Sequence, residues 1–104
     1  MLKYRHDAGH GWLEVPRMEI KRLKIVITPF SYQWKDKVYL EEDLDAVTYL
    51  KARAEELGVG IQKIHDYIEI EEVWDGDESP IRNYQNFSQN YKEVYNELRF
   101  RTIG

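Results

Sequence analysis

The sequence VYLEEDLDAVTYLKARAEELG, residues 38–58, predicts the end of a strand followed by one long amphipathic helix. Five of its apolar side chains recur at spacings of three and four residues and form one stripe: Leu44, Val47, Leu50, Ala54 and Leu57. Asp43 is the predicted N-cap, and Gly58 is the predicted end of the helix. Because such a stripe needs a second layer to cover it, the rest of the chain is expected to supply a sheet.

Alternating and β-branched segments on either side of this helix predict the sheet. The expected strands are residues 2–6, 11–15, 30–34, 37–41 and 61–73, with residues 25–28 as a sixth. A short helix is expected from Pro16 to about Lys24, and a second long amphipathic helix from about Asn86 to Phe100. The predicted fold class is therefore α+β: one domain over residues 1–104, with a mixed or antiparallel sheet covered on one face by two main amphipathic helices.

The same patterns predict the residues of the core. These are Leu13, Val15, Leu40, Leu44, Val47, Leu50, Leu57, Ile68, Ile70, Tyr91, Val94 and Leu98. In the second predicted strand, Trp12 alternates with Leu13 and is expected on the opposite face of the sheet.

Composition excludes several classes of function. The chain has 104 residues and no cysteine, which excludes disulfides, thiolate metal sites and thiol nucleophiles. No apolar run approaches the roughly 20 residues that a membrane-spanning helix needs, and the N-terminus lacks the apolar core of a signal peptide. A cytoplasmic protein without a membrane partner is therefore expected.

The net charge of −4 is unevenly distributed along the chain. It is +4 over residues 1–40, −10 over residues 41–78 and +2 over residues 79–104. The segment from Ile64 to Ile81 has no internal lysine or arginine, and its seven carboxylates surround Trp74: Asp66, Glu69, Glu71, Glu72, Asp75, Asp77 and Glu78. An aromatic residue within a charged patch is typical of an interface, because it supplies buried area while the charges steer the encounter. We expect this segment to bind a basic protein, including one that itself binds nucleic acid; a merely solvated face is the alternative.

The N-terminal segment offers imidazole and carboxylate groups, the ligand types that zinc, manganese and iron prefer. A metal-dependent hydrolase built on His6, Asp7 and His10, with His10 as general base, is one alternative function. Gly9 and Gly11 argue against the helix that would place both histidines on one face, and no serine lies in a nucleophile elbow. We therefore expect that the protein binds no metal or cofactor and is not an enzyme. The second candidate binding surface consists of His6, Asp7, His10 and Trp12.

A group of four carboxylates near the start of the long helix could bind a divalent cation: Glu41, Glu42, Asp43 and Asp45. Its spacing does not match an EF-hand loop, so compensation of the helix dipole is the favoured interpretation.

A second alternative function is nucleic-acid binding through basic and aromatic residues of the first 40 positions. These residues are Arg17, Lys21, Arg22, Lys24, Lys35 and Lys37, together with Tyr32 and Trp34 as stacking platforms. The small number of bases and the overall negative charge disfavour it.

Four segments together carry a resemblance to a known family. They are HDAGHGWLEVP at residues 6–16, Tyr32 of an SY pair, VYLEEDLDA at residues 38–46 and SPIRNY at residues 79–84. With these segments the chain resembles small uncharacterised proteins encoded by bacteriophages and plasmids, over about residues 4–84. The C-terminal residues 85–104, predicted as a helix, lie outside the family pattern.

The resemblance implies a genetic setting, and it carries no catalytic residues onto this chain. Accessory proteins of mobile elements often act by binding host or phage proteins, and some inhibit host defence systems. The resemblance therefore implies an interaction protein in the cytoplasm of a host cell, with a host defence protein as one class of partner.

Overall fold

A six-stranded mixed sheet forms the centre of the fold. The computed structural model describes residues 1–89, and its strands are β1 (Leu2–His6), β2 (Gly11–Pro16), β3 (Tyr32–Trp34), β4 (Lys37–Glu41), β5 (Ile70–Trp74) and β6 (Gln85–Asn86). Their order across the sheet is β5-β1-β2-β4-β3-β6. The β1–β5 pair is parallel and every other pair is antiparallel. The predicted α+β class with a mixed sheet is confirmed.

Two α-helices and two 3-10 helices connect these strands. The α-helices are α1 (Arg17–Leu23) and α2 (Asp45–Leu57), and the 3-10 helices are Ile61–Asp66 and Pro80–Asn83. Gly58 ends α2 in the left-handed region, with φ at 70°, as its position in the sequence predicts. Within residues 1–89, no helix has both the length and the apolar character needed to cross a membrane.

The main core lies between one face of the sheet and the two α-helices. Its buried members are Leu13, Val15, Ile20, Ile27, Val38, Leu40, Ala46, Tyr49 and Phe87. Ile64, Ile68 and Ala54 extend it beneath the 3-10 helix Ile61–Asp66. The predicted burial of Leu13, Val15, Leu40 and Ile68 is confirmed.

The opposite face of the sheet carries a smaller cluster around Trp12. Trp12, Tyr39 and Ile81 are buried there, and Tyr32 and Tyr84 pack against them. The 3-10 helix Pro80–Asn83 supplies Ile81 and covers this part of the sheet. Trp12 is on the face opposite Leu13, as predicted. It is nevertheless buried, because the 3-10 helix Pro80–Asn83 covers that face as the α-helices cover the other.

The buried face of α2 differs from the predicted stripe. Leu44 is 45% exposed and Leu57 is also exposed, so their predicted burial is wrong. Val47, Leu50 and Ile70 are only half-buried, whereas Ala46 and Tyr49 are buried. Tyr91, Val94 and Leu98 lie outside the described residues.

Polar contacts account for this rotation of α2. The buried carboxylate of Asp45 accepts hydrogen bonds from the Thr28 backbone N–H and from the hydroxyls of Thr28 and Ser31. Tyr49 is fully buried and donates its hydroxyl proton to Glu19 Oε1 at 3.0 Å. Because buried polar groups need partners, these contacts set the rotation of the helix more strongly than one or two leucines do. The helix begins at Asp45, and the predicted N-cap Asp43 lies before it.

Three predicted elements also differ in the structure. Residues 61–66 form a 3-10 helix and β5 begins only at Ile70, so just the last four residues of the strand expected at residues 61–73 are found. Residues 25–28 form no strand; Ile27 packs in the core and its N–H binds Gln89 Oε1 at 3.0 Å. Asn86, the expected start of the C-terminal helix, pairs with Tyr32 in β6. Residues 87–89 form no helix either, so the predicted start is wrong, and the rest of that predicted helix, from residue 90, lies outside the described residues.

Candidate functional site

The buried carboxylate of Asp7 joins the β1–β2 turn to the segment that contains Ser79 and Arg82. Its Oδ1 accepts the backbone N–H groups of Gly9 and His10, each at 2.9 Å, and Arg82 Nη2 at 2.9 Å. Its Oδ2 accepts the Ser79 N–H at 2.7 Å and Arg82 Nε at 2.6 Å. The guanidinium of Arg82, with these N–H groups, holds the pKa of the Asp7 carboxyl well below its usual range.

Residues around this ion pair extend it in two directions. The Arg82 guanidinium lies 5.5 Å from the centre of the Trp12 ring, and a Cβ at Gly9 would lie only 2.8 Å from Arg82 Nη2. Ser79 donates its hydroxyl proton to Asp75 Oδ2 at 2.8 Å, and Asp75 Oδ1 lies 3.2 Å from Arg5 Nη1. The HDAGHGW and SPIRNY segments therefore meet at one structural connection. Asp7 is committed to it and is not free to bind a metal or to orient His10.

The two N-terminal histidines have separate partners. His6 Nε2 lies 3.0 Å from Glu72 Oε1, and its ring contacts the rings of Tyr4 and Trp74 at centroid distances of 5.7 and 5.2 Å. His10 is exposed in the β1–β2 turn. The structure thus does not assemble His6, Asp7 and His10 into one site. Asp7 and Trp12 are buried, so they do not form one continuous exposed surface with the two histidines.

His10 instead lies beside the end of β4. His10, Glu41 and Glu42 each offer one ligand atom, and these three atoms lie within 4.8 Å of one another. In the described part of the chain, this is the one group of three residues that could hold a metal ion. Imidazole with two carboxylates is a donor set that suits zinc, manganese or iron. Asp43 and Asp45 are not part of this group. The side chain of Asp45 points into the core instead.

Tyr4 connects this group to the helix face of the sheet. Its hydroxyl donates to Glu42 Oε2, and its ring crosses Gly11, where a Cβ would lie 1.8 Å from the Tyr4 oxygen. Gly11 is therefore required for space. Burial, and then the bond to Glu42, raises the pKa of Tyr4 above its usual range, so Tyr4 remains a donor at neutral pH.

The acidic segment forms an edge of the sheet, because β5 pairs only with β1 within residues 1–89. Trp74 is 56% exposed on this strand, and Tyr67 is exposed just before it. Six of the seven predicted carboxylates are exposed: Asp66, Glu69, Glu71, Glu72, Asp77 and Glu78. Asp75 is the exception, since its side chain is turned inward toward Arg5 and Ser79. We call these six carboxylates with Trp74 the acidic edge.

A cavity of about 360 Å³ opens on the helix face of the sheet next to the acidic edge. Its lining consists of Tyr4, Leu13, Glu42, Ala46, Leu50, His65, Ile70 and Glu72. We call it the β1–α2 pocket. Neither His65 nor Tyr4 lies in a sequence pattern that predicts a site, and only their position in the fold brings them together.

The basic and aromatic residues considered for nucleic-acid binding are largely engaged within the protein. Arg17 bonds to Gln33 Oε1 and the Lys35 carbonyl, at 3.1 and 3.0 Å. Arg22 forms ion pairs with Glu19 and Glu56. Tyr32 packs in the cluster around Trp12, and Trp34 stacks on Tyr84 at 5.2 Å. The arrangement does not favour a basic groove lined with stacking aromatics.

Comparison with family models, with curated proteins and with solved structures found no match to this chain.

Proposed function

We propose that the chain is a protein-binding module whose acidic edge docks on a basic protein. The observation that supports this proposal most directly is the exposure of Trp74, among six exposed carboxylates, on the strand that forms an edge of the sheet within residues 1–89. A large aromatic side chain at a sheet edge is costly to leave in water and supplies buried area when a partner covers it.

The carboxylates give this edge its selectivity. Charged side chains on an edge strand hinder its pairing with a second copy of the same strand. The same charges accelerate encounter with a surface rich in lysine and arginine, since opposite potentials steer association. A protein that itself binds nucleic acid presents such a surface.

The resemblance to phage and plasmid proteins supports the biological setting of the proposal. We infer an accessory protein of a mobile genetic element that acts in the cytoplasm of the host cell. A host defence protein with a basic surface is the proposed class of partner, and inhibition by occupying that surface is the proposed mode of action.

Reversing three charges of the acidic edge tests this function. Glu71, Asp77 and Glu78 are exposed, and changing them to lysine moves the net charge from −4 to +2. A host protein captured from lysate by the parent chain should be lost by this variant. With the purified partner, the association rate at low salt should fall by about tenfold or more, and its salt dependence should flatten.

The matched control reverses three exposed acids elsewhere, Asp36, Asp43 and Glu55, and reaches the same net charge. It should retain the partner and most of the association rate. Equal loss in both variants would show that net charge alone governs capture, and equal retention would show that the acidic edge is not the docking surface.

A second candidate function, metal-dependent hydrolysis, is supported by the grouping of His10, Glu41 and Glu42. It requires one bound ion per chain, so titration of tag-free protein with Zn²⁺ or Mn²⁺ should give a 1:1 isotherm. His10→Ala and Glu41→Gln should abolish that binding, while the control His65→Ala should keep it. An isotherm unchanged by His10→Ala would remove this candidate.

A further inference from the structure

We propose that the β1–α2 pocket receives the side chain of an arginine from the basic partner. This inference rests on the proposed function and specifies the chemistry that the partner presents. It is carried by the shape of the pocket, the sign of its charges and its position beside the acidic edge.

The pocket combines an apolar interior with polar groups. Leu13, Ala46, Leu50 and Ile70 contribute apolar surface, and Leu13 and Ala46 are buried members of the main core. Tyr4, Glu42, His65 and Glu72 contribute the polar groups. Its volume of about 360 Å³ is within the range of ligand pockets, roughly 300–1,000 Å³. One long side chain fits such a space together with the waters that solvate its polar end.

The charges of the pocket select a cation. Glu42 and Glu72 line it, and within residues 1–89 no lysine or arginine does. Glu72 is 72% exposed at its side chain; its Oε1 lies 3.0 Å from His6 Nε2, which leaves Oε2 to accept from an incoming group. Glu42 is held by the Tyr4 hydroxyl through Oε2, which positions the carboxylate and leaves its other oxygen to accept. A ligand with an apolar stem and a cationic end matches this lining.

Arginine matches the pocket better than lysine. Its planar guanidinium carries five N–H donors, can engage two carboxylates at once and stacks on aromatic rings such as those of Tyr4 and His65. An ammonium group is a more strongly hydrated point charge and loses more on entering a partly apolar site.

The position of the pocket ties it to the acidic edge. Ile70 and Glu72 line the pocket and belong to β5. Glu71, which lies between them in the strand, faces the other side of the sheet. A partner segment that docks along β5 can therefore place one side chain in the pocket while its other cations meet the exposed carboxylates.

The first test uses a small probe in place of the partner. N-acetyl-arginine-N-methylamide, titrated into ¹⁵N-labelled protein, should shift the amide signals of Ala46, Leu50 and Ile70, with a dissociation constant on the order of 1 mM. The neutral citrulline analogue should bind at least about tenfold more weakly, because it lacks the charge. The lysine analogue should fall between them.

A matched pair of variants locates the probe. Glu72→Gln should weaken binding of the arginine probe by about threefold or more, because it removes one carboxylate from the pocket. Glu55→Gln makes the same change at an exposed glutamate of α2 that belongs neither to the pocket nor to the acidic edge, and should leave the affinity unchanged. Glu72 is exposed, so both variants are expected to fold, and their amide spectra verify this.

Equal binding of the arginine and citrulline probes, or shifts that map away from the pocket, would overturn the inference. Because the probe requires no partner, this failure is separate from that of the proposed function. Loss of capture by the acidic-edge variant together with no probe binding would reject the arginine pocket alone. Probe binding together with unchanged capture would reject the acidic-edge function and leave an arginine site.

Discussion

Replacing Asp7 with asparagine should lower the melting temperature by more than about 10 °C, the order expected when one member of a buried ion pair is removed from a domain of this size. The reason is the geometry of its two oxygens, which together accept five N–H donors. An asparagine keeps one acceptor oxygen and turns the other position into a donor. Its NH₂ group would then face the three N–H donors of the Oδ1 position or the two of the Oδ2 position, depending on the orientation of the amide. In either case, Arg82 would lose its counter-charge.

Lowering the pH tests the same interaction in the parent chain. The folded pKa of Asp7 is depressed, so its carboxylate stabilises the fold above the unfolded pKa of about 3.9, and this stability is lost as the pH falls toward the folded pKa. The difference in melting temperature between parent and Asp7→Asn should therefore be greatest at neutral pH and should narrow below about pH 4.

Asp77→Asn is the matched control, because it makes the same chemical change at an exposed aspartate. It should move the melting temperature by no more than a degree or two. If Asp7→Asn is as mild as this control in thermal melts followed by circular dichroism, the proposed structural role of the ion pair is refuted.

Replacing Leu40 with alanine should cost about 2–5 kcal/mol of unfolding free energy. Leu40 is 0% exposed on β4, pairs with Leu13 of β2 and lies in the main core between the sheet and α2. The truncation leaves a cavity that neighbouring strands cannot close, because their positions are set by hydrogen-bonded pairing. Chemical denaturation with an unchanged m-value measures this loss.

Leu44→Ala is the comparison that makes the result informative. The spacing of apolar residues predicts Leu44 in the core, whereas the structure leaves it 45% exposed just before α2. Its truncation should cost less than about 1 kcal/mol. Equal costs for the two leucines would support the helix stripe predicted from the sequence and contradict the observed rotation of α2.

The candidate site was only partly accessible to sequence reasoning. The acidic run and Trp74 are visible in the sequence, and alternation in β5 places the acids on both sides of an edge strand. The inward turn of Asp75 is not visible in the sequence, because it depends on Arg5, which lies 70 positions away in the chain. The same holds for His10 in the β1–β2 turn, whose neighbours are Glu41 at the end of β4 and Glu42 just after it.

The sequence alone determined several of the secondary-structure elements of this protein. The alternating segments specify β1, β2 and β4, and Gly58 specifies the end of α2, because strand alternation and helix termination depend on neighbouring residues in the chain. Tertiary structure decided which side of α2 is buried, since the partners of Asp45 and Tyr49 come from other elements. It also decided that Asp7 binds Arg82 across 75 positions, and that β5 pairs with β1 at one edge of the sheet. Such contacts depend on the packing of the whole chain, and spacing within one segment carries no information about them.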